Sequence, residues 1–227
     1  MKTSKARLRL YRGDDTPPIL TREQALANMK MSEPDRVGSW ICTSTGGQFW
    51  PFDPRPDNIQ KEDIAHSLSN MCRFAGHVRT FYSVAQHCVL VSILLESAGY
   101  PTEYVKAGLL HDASEAYLVD IPTPIKHDLR MQAYRETEDS VSTVIFEKFG
   151  LVYPYQNEIK MADCYALILE MRDLMPRGLS ELHIAGLVFE DERALAMDAF
   201  LSRRQVTPKS PAAAKDDWLA RFESLWG

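Results

Sequence analysis

The most constraining feature of the sequence is a group of ionisable residues at the end of an apolar helical run, in AGLLHDASEAYL (107–118). His111, Asp112 and Glu115 follow the apolar residues within about one helical turn. A helix that packs into a core loses free energy when it buries such side chains without partners. The chain must therefore fold so that other elements supply partners at this point.

Two further polar residues interrupt apolar helical runs. His87 lies in SVAQHCVLVSILLESAG, and Asp163 lies in EIKMADCYALILEMR. Neighbouring helical residues point about 100° apart, so an ion between His111 and Asp112 requires other elements to close its site. Three helices can bring two imidazoles and two carboxylates to one point, as helical bundles do for metals. The pattern therefore predicts one metal site formed by His87, His111, Asp112 and Asp163.

The ligand types narrow the choice of ion without deciding it. Mixed nitrogen and oxygen ligands suit Mn²⁺, Fe²⁺, Co²⁺, Ni²⁺ or Zn²⁺, and Mg²⁺ stays open when waters complete six-coordination. The expected cofactor is thus a single divalent ion of open identity.

Composition favours a globular protein and argues against several other classes. The chain has 227 residues, 45% of them hydrophobic and 25% charged, which is typical of a protein with a sizeable core. Its net charge of -5 provides no basic field for nucleic acid. No apolar run is long enough to span a membrane, and the N-terminus lacks the apolar stretch of a secretory signal. Four scattered cysteines without a CxxC pair predict reduced thiols and a cytoplasmic location.

Hydrophobic periodicity predicts an all-α fold with one small hairpin. Two apolar and aromatic runs around Gly46-Gly47 predict a β-hairpin near 39–53 with a two-residue Gly-Gly turn. Ser83 and Gln86 have the spacing of a capping box, and Thr102 is the expected N-cap of the next helix. The expected helices cover 22–29, 61–72, 83–99, 102–118, 130–148, 156–174, 190–204 and 212–225. A Pro-rich loop, DIPTP (120–124), ends the 102–118 helix.

The same pattern divides the chain into three parts. An N-terminal extension covers 1–37, the main domain covers 38–205, and a linker with the last helix covers 206–227.

The order of one His, an adjacent His-Asp pair and a distant Asp resembles the HD-domain metal-dependent phosphohydrolases. The segment LLHDASEAYLVDIPTPIK closely resembles bacterial 5′-deoxynucleotidases of this superfamily. The segment FWPFDPRPDNIQKEDIAHSLSNMCRFAGHVRTFYSVAQH is similar to a phage and bacterial subgroup of HD phosphohydrolases. The resemblance covers roughly residues 40 to 175 and implies an HD-domain helical bundle. Two-metal relatives have additional downstream histidines, and only His127 and His183 remain here, so one ion is expected.

Catalytic roles follow from spacing and from the resemblance. Glu115 lies four residues after His111 and shares its face if the helix continues, so it is the expected residue to hold or deprotonate the attacking water. The resemblance adds Asp120 as a second catalytic residue. The alternative for Asp120 is a turn residue before Ile-Pro.

Cationic groups near the first ligand helix are candidates to bind phosphate. CRFAGHVR offers Arg73, His77 and Arg79, and Lys126 follows the Pro-rich loop. In deoxynucleotidases an arginine followed by an aromatic residue contacts the nucleotide, and Arg73-Phe74 has that place here, with Phe where those enzymes often have Trp. The alternative is that Arg73 pairs with a carboxylate of QKEDIAH (60–66) and braces the loop.

The remaining candidates have more ordinary interpretations. His127-Asp128 follows a polar loop and is expected at the surface or at a helix start. His183 is expected to be structural, and Cys88 is expected to pack in the core. His66 has two open interpretations: it contacts the phosphate, or it caps a polar cluster.

These residues predict a phosphohydrolase that cleaves (deoxy)nucleoside 5′-monophosphates to nucleoside and phosphate. The alternative enzyme is a dNTP triphosphohydrolase, with dATP as one substrate. A third hypothesis from another class is a non-catalytic HD domain that binds nucleotides. The expected partner is a small nucleotide, without nucleic acid or membrane, and the sequence leaves homo-oligomerisation open.

Overall fold

The computed structural model describes residues 35–176 and 192–227, and helices dominate this part of the chain. The hairpin and α-helices are β1 (Ile41–Cys42), β2 (Gln48–Phe49), α1 (Lys61–Asn70), α2 (Val84–Ser97), α3 (Thr102–Leu110), α4 (Glu115–Leu118), α5 (Thr123–Lys126), α6 (Gln132–Lys148), α7 (Asn157–Leu174), α8 (Glu192–Ser202) and α9 (Pro211–Trp226). Short 3₁₀ helices cover Pro56–Asn58, Phe74–Gly76 and Leu129–Met131. The predicted fold class, an all-α bundle with a small N-terminal β-hairpin, is confirmed.

Some sequence predictions fall outside the described residues. These are nearly all of the 1–37 extension, its helix at 22–29, and His183. The division at residues 205 and 206 stays a prediction. Among the described helices, none is both long enough and apolar enough to cross a membrane. All four cysteines lie in the described part and are unpaired.

Helix α2 lies at the centre of the bundle and contacts α1, α3, α7, α8 and α9. Its body is apolar on most of its circumference, which is typical of a helix surrounded by others. Val91, Leu94 and Leu95 are fully buried. A Cβ at Gly108 of α3 would lie 2.4 Å from Leu95 Cδ1, so the absence of a side chain at this position permits close packing of α3 on α2. This contact brings the end of α3 beside α2.

The start of α2 confirms half of the predicted capping box. Ser83 is the N-cap, and its hydroxyl accepts a hydrogen bond from the Gln86 N–H at 3.2 Å. The Gln86 side chain does not bond back to the cap, since it donates to the Thr207 carbonyl and accepts from the Lys209 N–H instead. It therefore ties α2 to the segment before α9. The predicted N-cap at Thr102 is wrong, because Thr102 is the first residue of α3.

The predicted continuous helix over 102–118 is wrong. Helix α3 ends at Leu110, residues 111–114 form a turn, and α4 begins at Glu115. The ring Nδ1 of His111 donates to the Gly108 carbonyl, an acceptor that a continuing helix would offer to the Asp112 N–H. The Glu115 N–H then bonds to the Asp112 carbonyl three residues back. The predicted DIPTP loop contains the short helix α5.

The predicted two-residue Gly-Gly turn is also wrong. Strand residues Cys42 and Gln48 pair, which leaves a five-residue loop, 43–47, between the strands. Of the two glycines only Gly46 has a positive φ, +84°, whereas the predicted turn needs positive φ at both central residues. The loop is held to α1 by Asp63, a buried carboxylate. It accepts hydrogen bonds from the Ser44 hydroxyl and from the Thr45 N–H and hydroxyl at 2.7–2.9 Å.

Replacing Asp63 should therefore weaken the attachment of the hairpin. We expect Asp63→Asn to lower the free energy of unfolding by about 1–3 kcal/mol in urea at pH 7, since an amide cannot accept all three bonds. Although burial opposes ionisation, the bonds from Ser44 and Thr45 hold the pKa of Asp63 below its usual value. The charge therefore stabilises the fold above a pH of about 4, and this contribution is lost as pH falls through the folded-state pKa.

The adjacent Glu62 provides the control, because its side chain is 46% exposed and its Oε1 lies 4.0 Å from Lys61 Nζ. Glu62→Gln should change stability little. Two results would contradict the anchoring role. One is an equal loss of unfolding free energy in both variants at pH 7. The other is a stability difference between Asp63→Asn and the unmodified chain that grows as pH falls.

Candidate metal centre

The structure brings the four predicted ligands together. Nε2 of His87 lies 3.2 Å from Nε2 of His111, 2.9 Å from Oδ1 of Asp163 and 3.6 Å from Oδ2 of Asp112. Nε2 of His111 lies 3.2 Å from the same Asp112 oxygen. Ligand bonds of about 2.0–2.3 Å to one shared ion place neighbouring donor atoms roughly 3–4 Å apart. The donor set therefore fits a single divalent ion.

The second nitrogen of each ring is fixed by an acceptor. His111 Nδ1 donates to the Gly108 carbonyl at 2.9 Å, and His87 Nδ1 donates to Oε1 of Glu170 at 2.7 Å. A carbonyl oxygen can only accept, so the His111 proton lies on Nδ1 and the lone pair of Nε2 faces the cluster. Such partners orient the rings of metal-binding histidines.

Glu170 is a functional residue that the sequence reasoning missed. Its side chain is 0% exposed, and its second oxygen accepts from Arg73 Nε at 3.0 Å. Although burial opposes ionisation, the charges of Arg73 and His87 hold the pKa of Glu170 below its usual value. Glu170 lies seven residues after Asp163, two helical turns along the same face of α7. That spacing, inside the apolar run ALILEM, is the signal that could have found it.

The environment of His87 favours a proton when no ion is bound. Burial and the Arg73 charge oppose protonation, but Glu170 and Asp163 raise the pKa of His87 to about 10. Metal ligation requires the neutral ring, so ion binding releases this proton. Metal affinity should therefore fall as pH falls.

A second set of possible donors is Cys88, His111 and Asp112. Cys88 is fully buried, and burial together with the charges of Asp112 and Glu115 raises the pKa of its thiol. The structure thus supports the expected packing role for Cys88.

Arg73 is held at the edge of the cluster by a strained turn. Its N–H donates to the Tyr82 carbonyl, and its guanidinium Nη1 lies 3.8 Å from Asp112. Phe74 and Ala75 follow with φ of +56° and +50°, the left-handed region that residues with a Cβ rarely adopt. The guanidinium also lies 5.5 Å from the Phe74 ring centroid. The bracing alternative predicted a carboxylate of residues 60–66, but the partner that the structure gives Arg73 is Glu170.

Glu115 lies near the cluster, although not through the predicted continuous helix. Its side chain is 5% exposed, and Oε1 lies 3.5 Å from Nζ of Lys126. Oε2 is buried without a hydrogen-bond partner among the described residues. Burial and the charges of Asp112 and Asp120 raise the pKa of Glu115. Burial and the Asp112 charge likewise raise the pKa of Asp120, which places Asp120 in the electric field of the ligands.

Two predicted phosphate contacts are engaged or located elsewhere. The Arg79 guanidinium donates to the carbonyls of Asp173 and Leu174, at the end of α7. Asp173 lies ten residues beyond Asp163, about 15 Å along the helix axis. His77 is exposed in the loop after the Phe74–Gly76 helix.

His66 and His127 have peripheral positions. His66 is exposed and lines a cleft of about 400 Å³ between the hairpin, α1 and α4, whose lining contains no lysine or arginine. His127 is exposed, and Asp128 caps the Leu129–Met131 helix, as expected for a surface or helix-start pair.

Comparison with known proteins gives the family. No protein-family model matches the chain. The chain is 46% identical over 187 residues to the uncharacterized protein YfdR of Escherichia coli (strain K12), across 82% of this chain and 96% of YfdR. The chain belongs to the YfdR family. It is also 34% identical over 151 residues to the uncharacterized protein RCAP_rcc00048 of Rhodobacter capsulatus, across 63% of this chain and 76% of that protein.

Among solved structures, the chain is similar to the cyanophage S-2L HD phosphohydrolase DatZ bound to dA and one catalytic Zn²⁺ ion. The TM-score is 0.43 and the identity 18%, across 73% of this chain and 96% of DatZ. The His, His-Asp and Asp residues that carried the HD-domain resemblance meet in this structure, so the resemblance is confirmed for the arrangement of these side chains.

We expect Glu170→Gln to lower metal affinity about 10- to 100-fold. The glutamine amide is neutral and has one acceptor oxygen, so it cannot hold both His87 and Arg73 as the carboxylate does. Competition with a chromogenic chelator, using Mn²⁺, Co²⁺ and Zn²⁺ in turn, measures this affinity. Glu158→Gln, in the first turn of the same helix, is the control and should bind metal like the unmodified chain. Equal affinities in the two variants would contradict the role of Glu170.

Proposed function

We propose that this chain is a metal-dependent phosphohydrolase that converts (deoxy)nucleoside 5′-monophosphates to nucleoside and phosphate in the cytoplasm. The observation that carries the proposal is the meeting of His87, His111, Asp112 and Asp163 at one point. Their two imidazoles and two carboxylates have the spacing that one divalent ion needs.

A divalent ion held by these side chains would polarise the phosphoryl group and lower the pKa of water at the site. Two nitrogen and two oxygen donors suit Co²⁺, Mn²⁺, Zn²⁺ or Ni²⁺, and Mg²⁺ fits if waters complete its coordination. The side chains around the ligands supply the remaining functions.

Glu115 is the proposed general base. Its buried carboxyl has a raised pKa, and its Oε2 atom lacks a hydrogen-bond partner in the described part of the chain. A partnerless buried acceptor is costly unless water or substrate meets it. Oε2 can therefore accept a proton from the attacking water. Asp120 shares this acidic environment and is proposed to assist.

Arg73 is the proposed phosphate contact. Its Nε donates to Glu170, so the terminal N–H groups are not used by that pair, and Nη1 lies 3.8 Å from Asp112. These N–H groups can donate to a phosphoryl oxygen. Arg73 would thus join the substrate to the Glu170-His87 pair.

Two of the other cationic side chains already bind protein groups, and this favours monophosphates over triphosphates as substrates. A triphosphate requires further cationic groups, and the sequence offered Arg73, His77, Arg79 and Lys126, of which His77 is exposed. Arg79 is bound to the end of α7, and Lys126 lies between two carboxylates. A non-catalytic nucleotide-binding domain would not explain why Oε2 of Glu115 is buried without a hydrogen-bond partner among the described residues.

The decisive experiment is a product analysis with dNMPs, NMPs and dNTPs in the presence of Mn²⁺, Co²⁺, Zn²⁺, Ni²⁺ or Mg²⁺. We expect inorganic phosphate and nucleoside from monophosphates. Release of inorganic triphosphate from dNTPs would favour the alternative enzyme. Nucleotide binding without any product would favour the binding domain and overturn the proposal.

Glu115→Gln should lower kcat by about 10²–10⁴-fold while metal content stays unchanged, because the amide cannot take the proton from water. Steady-state kinetics with metal analysis of the same sample tests this. Glu103→Gln, at an exposed position in α3, is the control and should keep full activity. Near-full activity in metal-replete Glu115→Gln would remove Glu115 from the mechanism.

A further inference from the structure

Lys126 lies between two carboxylates from different elements. Its Nζ donates to Oε1 of Glu138 at 2.7 Å and lies 3.5 Å from Oε1 of Glu115. All three side chains are mostly buried, with exposed fractions of 20%, 16% and 5% for Lys126, Glu138 and Glu115. This burial shields the ion pairs from the solvent that weakens surface pairs.

Helix α6 holds the main chain around Lys126 as well as its side chain. Arg135 Nη1 donates to the carbonyls of Lys126 and Asp128, at 2.5 and 2.9 Å. The Tyr134 hydroxyl donates to the Val119 carbonyl at 2.8 Å. Both ends of segment 119–128 are thus fixed to the first two turns of α6.

The position of Val119 indicates why such anchoring is needed. This β-branched residue has a φ of +78° and ends α4 directly before Asp120. A conformation of this kind persists only where surrounding contacts impose it. The Tyr134 bond to the Val119 carbonyl is such a contact, so α6 helps to set the path of the chain between Glu115 and Lys126.

The consequence for Glu115 is an asymmetry between its two oxygens. Oε1 faces the Lys126 ammonium, whereas Oε2 has no partner within the described residues. Glu138 holds the ammonium more closely than Glu115 does, by 2.7 against 3.5 Å. Lys126 is therefore close enough to orient Glu115 without a full hydrogen bond to it.

We propose that Glu138 is a positioning residue for the hydrolysis: it holds Lys126 so that Lys126 fixes Oε1 of Glu115 and leaves Oε2 free for the attacking water. This inference rests on the proposed function and assigns Lys126 to Glu115 rather than to the substrate phosphate. Glu138 acts only through Lys126 and touches no reacting atom.

The kinetic test compares Glu138→Gln, Lys126→Met and the double variant, all loaded with the same ion. We expect each single variant to lose about 10- to 100-fold in kcat with KM nearly unchanged, because a misplaced catalytic group slows the chemical step. The double variant should be no slower than Lys126→Met, since residues that act in series are not additive. Glu136→Gln is the matched control, an exposed carboxylate in the same helix that accepts from Gln132, and it should keep full activity.

Three kinetic results would overturn the inference. A raised KM with unchanged kcat in Lys126→Met would assign Lys126 to the phosphate. Full activity in Glu138→Gln would make its ion pair structural only. Additive losses in the double variant would show that Glu138 does not act through Lys126.

A second readout does not depend on turnover. The side-chain carboxyl ¹³C resonance of Glu115, assigned by its loss in Glu115→Gln, should shift in Lys126→Met and in Glu138→Gln, and should not shift in Glu136→Gln. An unmoved resonance in Glu138→Gln would overturn the positioning even if the enzyme is active. If the resonance shifts while the unmodified chain hydrolyses no nucleotide, the proposed function fails and the coupling of Glu138 to Glu115 stands.

Discussion

The site depends most on the two hydrogen bonds that the buried carboxylate of Glu170 accepts. The carboxylate accepts from His87 and from Arg73, and none of the three would be tolerated in this core without the others. Removing one partner of a buried charged group typically costs several kcal/mol, because the remaining charge stays unpaired. This cost links α2, the strained loop at residues 73–76 and α7. The same contacts that stabilise the packing therefore aim the His87 Nε2 atom at Asp163.

Electrostatics make a cation a natural component of this arrangement. Asp112 and Asp163 face the two histidine Nε2 atoms, and Glu115 with its raised pKa lies nearby. Arg73 is already committed to Glu170, so it only partly offsets these carboxylates. The His87 proton offsets part of this carboxylate charge when no ion is bound, and a divalent ion among the donors would take its place at short range, where the interaction is strongest. Charge balance and the spacing of the donor atoms thus both favour a divalent metal ion at this site.

The sequence predicted those parts that depend on residue type and on long periodic runs. Polar residues that interrupt apolar helices identified the four side chains that meet at the candidate centre, and most helix limits were predicted within about two residues because caps and periodicity agree there. The Gly46-Gly47 turn and the 102–118 helix were mispredicted because each depends on one local hydrogen-bond choice, such as His111 bonding to Gly108. The partner of Arg73 could not be predicted, since Glu170 is 97 residues away along the chain and only tertiary packing brings them together.

Glu115 lies near the cluster, as predicted, but for a different reason from the one that the prediction used. The spacing from His111 implied a shared helical face, yet the helix ends at Leu110 and Glu115 begins a new one. Its placement depends on the turn at 111–114 and on Lys126, which α6 holds through Glu138. The candidate metal ligands, by contrast, are positioned by α2, by the end of α3 and by α7. On the proposed function, ion binding and the positioning of Glu115 therefore depend on different helices, so a change in α6 would alter the chemical step while the candidate ligands keep their geometry.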